Sequence, residues 1–533
     1  MLLQFHARSP TVITVIAIIS SVFISACTTQ PKPVNAAPDF TVQLLGINDF
    51  HGQVLPKDGM GGMYYLASHL IQAINSTDEH TFVLHAGDHV GASPAESALL
   101  QDEPAIEFLN ILSSYCHVYR QDTCQIIGTA GNHEFDEGSD ELLRLFNGGN
   151  HENGPFIETW QGANYLTLSA NVIDQETQDL LLKPYTIQVV NDVTIGFIGI
   201  TLDSTPELVV PGIVNNLTFQ NQSLAVAKTV SELQSQAVEA IVVIIHDGTE
   251  AEYYQGSTLE QVGIPKESLF GQFLSELPGA VDLVVTGHSH EFTNAYVENS
   301  QGKKMLVTQA YSSGEAYADI SITINPESKD VVASSAEIIL VDKAHNGALN
   351  KGANNTLRRI QRLIAQAADF AQQYTQKVLN FYEPSEGEAP LGQFIADSHR
   401  YMLNTDIAVM NDGGVRAELE PGEITWGELF AVQPFNNSMM IRRYSGAQLA
   451  TLIDSEHYWS SEVSTDASQY VTINDAPIDM DAQYTVAGNA YIMSTDAFKV
   501  GELIFTDNID VVMTSEYIKR LPTPFNFNDT PSP

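Results

Sequence analysis

Between residues 40 and 300, five short apolar runs each end on a cluster of Asp, Asn, His and Gly, and this recurrence constrains the fold more than any other feature. Residues 42–47 deliver Asn48-Asp49-Phe50-His51-Gly52, and residues 82–84 deliver His85-Ala86-Gly87-Asp88-His89. Residues 124–130 lead into Gly131-Asn132-His133-Glu134-Phe135-Asp136. Residues 240–245 precede His246-Asp247-Gly248, and residues 281–285 precede Thr286-Gly287-His288-Ser289-His290. Short apolar runs bounded by such turns read as buried strands, with 193–201 a further one and 64–74 helical in its spacing. Strands alternating with helices predict a layered α/β domain. Ligands of α/β proteins sit outside the carboxyl ends of strands, so all five clusters are expected at one edge of one sheet.

The residue types in these clusters point to metal chemistry. Asp49 and His51 stand two apart on a segment read as extended, so their side chains face one way. A carboxylate beside an imidazole suits Zn²⁺, Mn²⁺ or Fe²⁺. Asp88 is the natural bridging carboxylate, Asn132 a neutral oxygen ligand, and His246, His288 and His290 the remaining nitrogens. Seven such donors on five strand-end loops make the inventory of a two-metal hydrolytic site. His133 is then free to act as general acid on a leaving oxygen, with Asp136 orienting its imidazole. His85 and His89 are expected as supporting or surface histidines, and Glu134 as structural.

Charge narrows the partners. With 24 Lys+Arg against 65 Asp+Glu, the formal charge of −41 repels phosphate polymers and argues against nucleic acid. An anionic substrate must therefore meet local positive charge, from metal ions or a few arginines. The 533 residues predict two to three domains.

The amino terminus reads as an export segment. His6 and Arg8 precede a short apolar core over 11–24, and Ile24-Ser25-Ala26-Cys27 closes it with small residues before a cysteine. Residues 1–27 resemble a lipoprotein signal peptide with Cys27 as the lipidation site, followed by a Thr/Pro/Ala-rich tether over 28–39. A signal anchor is the alternative. Localisation is thus expected to be exported, periplasmic or cell-surface, and membrane-anchored through Cys27. In an oxidising compartment the remaining pair, Cys116 and Cys124, is a candidate disulfide, with two free thiols the alternative.

Beyond residue 341 the pattern changes. Leu357, Ile360, Leu363, Ile364, Ala367 and Phe370 recur at helical spacing, predicting a connecting helix within a linker over 342–378 and a plausible hinge. A second α/β region follows over 379–521, with 391–403 helical and 407–410 a strand before Asn411-Asp412-Gly413-Gly414. The Gly-rich turn before Arg416 lets backbone amides and a guanidinium approach an anion, and Phe435 could offer a flat face to a nucleobase or simply fill core. The Pro/Asn/Asp-rich tail over 522–533 is expected to be disordered.

The ordered set Asp49-Phe50-His51, Gly87-Asp88, Gly131-Asn132-His133-Glu134, His246 and Gly287-His288-Ser289-His290 resembles the calcineurin-like metallophosphoesterases. Phe135-Asp136 and the carboxyl-terminal region narrow the resemblance to the 5′-nucleotidase family. The resemblance implies a four-layer α/β/β/α metallophosphoesterase domain over 40–341 and an α/β substrate-binding domain over 379–521. It implies two divalent ions, Zn or Mn, one held by Asp49, His51, Asp88 and His290 and the other by Asp88, Asn132, His246 and His288. His133 with Asp136 would form the catalytic dyad. Asn411 and Arg416 would contact the nucleotide, Phe435 would stack on the base, and Asn437 and Asp496 would bond base or ribose.

The family's Gly-Gly-Gly before the arginine is Asp412-Gly413-Gly414 here, and its Gly-Gly-Asp-Gly-Phe is Ser494-Thr495-Asp496-Ala497-Phe498. Counting six back from Asp496, a second aromatic is replaced by Ala490, with Tyr491 beside it, and the acidic stretch 381–388 lacks the arginines that bacterial nucleotidases carry there. The expected activity is release of phosphate from nucleoside 5′-monophosphates or related esters by metal-activated water. The alternatives are a UDP-sugar or dinucleotide pyrophosphatase, a 2′,3′-cyclic nucleotide phosphodiesterase, a sulfur-compound hydrolase, or a metal-containing surface binding protein without catalysis.

Overall fold

The computed structural model describes residues 37–531 except 58, 122, 155, 157–158, 249–256, 259–263, 266, 344–349, 454–456 and 466–470, and the side chains at 506–507. Cys27, the signal segment and most of the tether lie outside the described residues.

Two six-stranded sheets form the amino-terminal lobe. The first runs Asp330–Leu340, Ala316–Asn325, Phe40–Ile47, Thr81–Ala86, Cys124–Thr129, Leu166–Leu168, parallel from Phe40–Ile47 onward. The second runs Phe292–Glu298, Lys304–Ala310, Val281–Val285, Ala240–Ile245, Val193–Ile200, Tyr185–Val190, with its four central strands parallel. The sheets are packed face to face through Val42, Leu44, Phe82, Leu84, Phe197, Val242, Ile244 and Leu283. Phe82 and Phe197 cross this interface with ring centroids 4.8 Å apart. Truncating either to Ala is expected to cost about 3–5 kcal/mol.

Helices cover both outer faces. Gly62–Asn75, Glu103–Arg120 and Lys351–Thr375 cover the first sheet, and Gln222–Ser235 with Leu269–Glu276 cover the second. This makes an α/β/β/α stack. Strands buried on both faces read as unbroken apolar runs, which is why Ala240–Ile245 (AIVVII) is buried throughout. The parallel strands of both sheets therefore end along one shared rim.

The long helix starts at Lys351, capped by Asn350, whose side chain accepts from Ala353 N, and ends at Thr375. Leu357, Ile360, Leu363 and Ala367 bury into the amino-terminal core, whereas Phe370 is 38 % exposed. The helix is thus a packed layer of that lobe. Cys116, near the end of Glu103–Arg120, and Cys124, opening the next strand, are joined by a disulfide.

The carboxyl-terminal lobe is built on a five-stranded sheet ordered His457–Trp459, Ile407–Asn411, Gln483–Asn489, Ser438–Ser445, Glu502–Ile509. Leu391–Leu403 and Asp510–Ile518 cover it. Ala95, Ala98 and Leu99 of the amino-terminal lobe pack against the same core.

Residues 522–531 depart from the disorder expected over 522–533. Phe525 and Phe527 are 1 % and 7 % exposed. Phe525 N–H donates to Phe381 O at 2.9 Å and its carbonyl accepts from Glu383 N at 2.9 Å, while Phe527 stacks on Tyr382 at 4.5 Å. Two phenylalanines bury enough apolar area to order a segment whose other residues suit a loop. Among the described residues, no helix is long and apolar enough to cross a membrane.

Candidate active site

The rim of the two sheets carries Asp49, His51, Asp88, Asn132, His246, His288 and His290 into one cluster. The ligand atoms of Asp49, His51 and His290 lie within 4.8 Å of one another, as do those of Asp88, His246 and His288. Asp88 also groups with His51 and His133, so it stands between the two sets. Asp49, Asp88, Asn132 and His246 are buried, at 4 % exposure or less.

The backbone that presents these groups is strained. Asp49, His51, Asp88, His288 and His290 have φ of 47°, 48°, 47°, 74° and 57°, left-handed values that cost a non-glycine residue about 1–3 kcal/mol. Asp49 and His51 therefore converge through a tight turn instead of the extended segment the spacing suggested. Close approach adds a second demand: a Cβ on Gly131 would lie 2.2 Å from Asp88 Oδ1.

Hydrogen bonds fix the ring orientations. Carbonyl oxygens only accept, so His51 Nδ1 carries its hydrogen toward Gly91 O at 2.8 Å, and His246 Nδ1 toward Ala86 O at 2.8 Å. The Nε2 atoms then turn inward. His51 Nε2 meets His290 Nε2 at 2.9 Å, and His246 Nε2 lies 3.1 Å from Asn132 Oδ1 and 3.0 Å from Asp88 Oδ2. Acceptor facing acceptor is repulsive unless a proton or a cation stands between them, so this donor set fits divalent metal ions.

Electrostatics express the same demand. Burial pushes the Asp49 carboxyl up to about 7, against the pull of His246. Burial also opposes charge on Asp88, yet His246 and His133 hold it well below the usual carboxylate range. Burial would lower His246, but Asp88 raises it to about 10. Burial lowers His51, and takes His288 and His290 to about 4, leaving their lone pairs available.

His133 Nδ1 bonds Asp136 Oδ2 at 2.7 Å, and its backbone N–H donates to Asp88 Oδ1 at 2.9 Å. Burial alone would lower its imidazole, but Asp136 and Asp88 outweigh it and raise it to about 9. An imidazole held through Nδ1 by a carboxylate, with its other nitrogen left for a proton, has the arrangement a general acid requires.

Two supporting groups hold these loops: Glu134, expected as structural, and Asn48, which carried no assigned role in the sequence. Glu134 accepts from Asp88 N at 3.0 Å, His89 N at 2.8 Å and Gly131 N at 2.6 Å, locking two ligand loops together. Asn48 Oδ1 accepts from Ala310 N at 2.8 Å, which turns its Nδ2 to Asp49 Oδ2 at 2.7 Å. Both are adjacent in sequence to a ligand or the dyad, and no other signal marks them. His85 and His89 are each 1 % exposed, so neither is a surface histidine.

One cavity of about 300 Å³ joins the lobes, lined among others by Asn132, His133, Asp136, His288, Asn411, Arg416, Phe435, Asn437 and Tyr491. Phe435 stacks on His133 with centroids 5.8 Å apart and planes 12° from parallel, and the Arg416 guanidinium lies 5.8 Å from the Phe435 centroid. Tyr491 lines the cavity while Ala490 is buried, so the aromatic sits one residue later than counting from Asp496 suggested. Tyr491 Oη donates across the cleft to Glu207 O at 3.3 Å.

Asp496 departs from its expected role in bonding base or ribose. Its side chain is fully exposed, 4.0 Å from Lys499 Nζ, and it does not line the cavity. Ser494 and Thr495 extend the helical turn, with Ser494 N–H donating to Ala490 O and Thr495 N–H to Ile492 O, which carries Asp496 past the pocket.

Comparison with known proteins agrees with this geometry. The family model for calcineurin-like phosphoesterase matches residues 42–292, and that for the 5′-nucleotidase C-terminal domain matches residues 371–471. The chain is 30 % identical to Endonuclease YhcR of Bacillus subtilis (strain 168) over 93 % of its own length and 41 % of that protein's, so it spans less than half of that relative. It is 29 % identical to Cell wall protein Lmo0130 of Listeria monocytogenes, covering 91 % of this chain and 68 % of the relative. The crystal structure of a 5′-nucleotidase precursor from Thermus thermophilus superposes with a TM-score of 0.68 at 23 % identity, covering 90 % and 96 % of the two chains.

Fold and site together define a calcineurin-like metallophosphoesterase, a metal-dependent phosphoester hydrolase by class. With its second matched domain, the chain belongs to the 5′-nucleotidase family.

Proposed function

We propose that this chain is an exported dinuclear-metal phosphohydrolase that releases phosphate from nucleoside 5′-monophosphates. The observation that carries this reading is the shared cavity: Asn132 and His288 of the ligand cluster, the hydrogen-bonded His133–Asp136 pair and the Arg416–Phe435 pair all line it. Asp49, His51, Asp88 and His290 would hold one ion, and Asp88, Asn132, His246 and His288 the other. Two such ions, Zn²⁺ or Mn²⁺, would neutralise phosphoryl oxygens and make a water nucleophile available near neutral pH.

The chain's own residues do the rest. Asp136 holds the His133 Nδ1 proton and so keeps Nε2 aimed at the leaving oxygen, to which it delivers its proton. Arg416 meets phosphate charge, the one guanidinium among the cavity-lining residues. Phe435 and Tyr491 offer faces to a base, and Asn411 and Asn437 offer amides. Asp496 has no part in this pocket.

Purified protein loaded with Mn²⁺ or Zn²⁺ should release phosphate from AMP, and His133→Ala should abolish that release. No phosphate from any nucleotide would sink the reading. The cavity continues past His133 to Gln101, Glu141 and Leu145, room that favours a second reading as a pyrophosphatase on UDP-sugars or dinucleotides, or a cyclic nucleotide phosphodiesterase. A panel of AMP, UDP-glucose, 2′,3′-cyclic AMP and single-stranded DNA separates these, the last because one relative carries the name endonuclease. Bound metal without turnover across the panel would favour a non-catalytic binding protein.

Export and lipidation at Cys27 belong to the same reading. The small residues before Cys27 support it, and a relative carries the name cell wall protein. Cys27→Ser should move the protein from the membrane fraction to the soluble one; an unchanged distribution would contradict lipid anchoring.

A further inference from the structure

We propose that Asn489, a residue outside the cavity, fixes the amide of Asn411 so that its NH₂ group faces the substrate, making Asn489 a positioning residue for nucleoside recognition, a role that rests on the nucleotide reading above. Asn489 is fully buried and ends the strand Gln483–Asn489, which pairs in parallel with Ile407–Asn411. That register brings the two asparagines to the same edge of the sheet.

Ile492 N–H donates to Asn489 Oδ1 at 3.0 Å, capping the short turn Ala490–Met493. A backbone amide can only donate, so the oxygen end of Asn489 is settled and its Nδ2 must lie on the other side. Nδ2 then donates to Asn411 Oδ1 at 2.9 Å, with Met410 Sδ 3.6 Å from the same nitrogen. The Asn411 oxygen is therefore engaged away from the cavity. A Cβ on Gly414 would lie 2.9 Å from that oxygen and 2.6 Å from Met410 Cε, so glycine lets the 412–414 turn close over it.

Asn411 lines the cavity, and what it can offer there is its Nδ2. The pocket thus presents a hydrogen-bond donor at this point and selects an acceptor on the nucleoside: a ring nitrogen, a base carbonyl or a ribose oxygen. A group presenting hydrogen at the same place would leave two donors opposed.

The test compares AMP with p-nitrophenyl phosphate, which has neither base nor ribose, in the metal-loaded protein. Asn489→Ser keeps a capping oxygen for Ile492 N–H but is too short to reach Asn411. Asn489→Asp at pH 8 keeps the cap and offers Asn411 an acceptor, which turns the Asn411 oxygen into the cavity. The expected result is a KM for AMP raised about fivefold in the first variant and about tenfold or more in the second, a tenfold change being about 1.4 kcal/mol. The kcat for AMP and both constants for p-nitrophenyl phosphate should stay within about twofold, a split that loss of folding does not produce. An unchanged KM for AMP in folded variants, or equal losses on both substrates, would overturn the proposal. Wild-type protein that hydrolyses p-nitrophenyl phosphate but not AMP would contradict the nucleotide reading and this inference together, whereas wild-type AMP turnover with unaffected variants contradicts this inference alone.

Discussion

His133 and Phe435 lie ring against ring, centroids 5.8 Å apart and planes 12° from parallel, although one belongs to the metal-cluster lobe and the other to the carboxyl-terminal lobe. The residue read as general acid and the residue read as base platform therefore share a wall of the same cavity. A substrate that stacks on Phe435 must enter beside His133, which brings its leaving oxygen to the acid.

Phe435→Ala should raise the KM for AMP about tenfold to a hundredfold, since an aromatic stack on a base contributes about 1–3 kcal/mol. Turnover of p-nitrophenyl phosphate should change little. Steady-state kinetics on both substrates check this, and equal losses on the two would assign Phe435 to holding His133 instead of binding a base.

Asp136→Asn retains the size of the side chain but removes the charge that keeps His133 protonated and holds its Nδ1 hydrogen. The kcat for AMP should fall about 10²–10⁴-fold. Metal content, measured by elemental analysis, should stay that of the wild type, because Asp136 is outside the ligand cluster. A variant with near-normal kcat would remove the dyad from the mechanism.

The fold and the gathering of these side chains at one rim were legible in the sequence because each candidate ligand follows closely on a strand too apolar to be anything but buried. His246 after Ala240–Ile245 and Asp88 after Thr81–Ala86 needed only that rule. What escaped depends on contacts between distant segments. Glu134 was expected as structural, but the three backbone N–H groups through which it locks two loops have no sequence signature. Tyr491 reaches the cavity because the Ser494-Thr495 turn stays helical, a one-residue offset invisible to counting. The ordered tail is held by the buried Phe525 and Phe527 and by bonds such as Ala389 N–H to Asn528 Oδ1, in a segment whose composition otherwise reads as loop.

His399 gives a pH dependence remote from the metal cluster. It is fully buried, and burial lowers its imidazole from 6.5 to about 4. Its folded pKa is depressed, so below pH 6.5 the unfolded chain takes up a proton that the folded chain refuses. Its contribution is present above that pH and is lost as the pH falls toward 4, up to about 3 kcal/mol in all. Denaturant unfolding at pH 7 and pH 4.5 should show a smaller loss of stability in His399→Gln than in wild type. Equal pH slopes would mean that His399 does not carry the effect.

The Cys116–Cys124 bridge closes a short loop between the end of a helix and the strand that leads to Asn132 and His133. Replacing both cysteines with Ser should cost about 2–3 kcal/mol by the loop-closure relation. Thermal unfolding with and without reductant checks the same claim in the wild-type protein, which should lose stability on reduction. A midpoint insensitive to reductant would contradict it.

Two divalent ions held by Asp49, His51, Asp88, Asn132, His246, His288 and His290 are the centre of the proposed chemistry, and phosphate release from AMP before and after exhaustive chelation tests them most directly. Activity should vanish with the metal and return on addition of Mn²⁺ or Zn²⁺. Undiminished turnover by the fully chelated protein would contradict a metal-dependent reaction at this site.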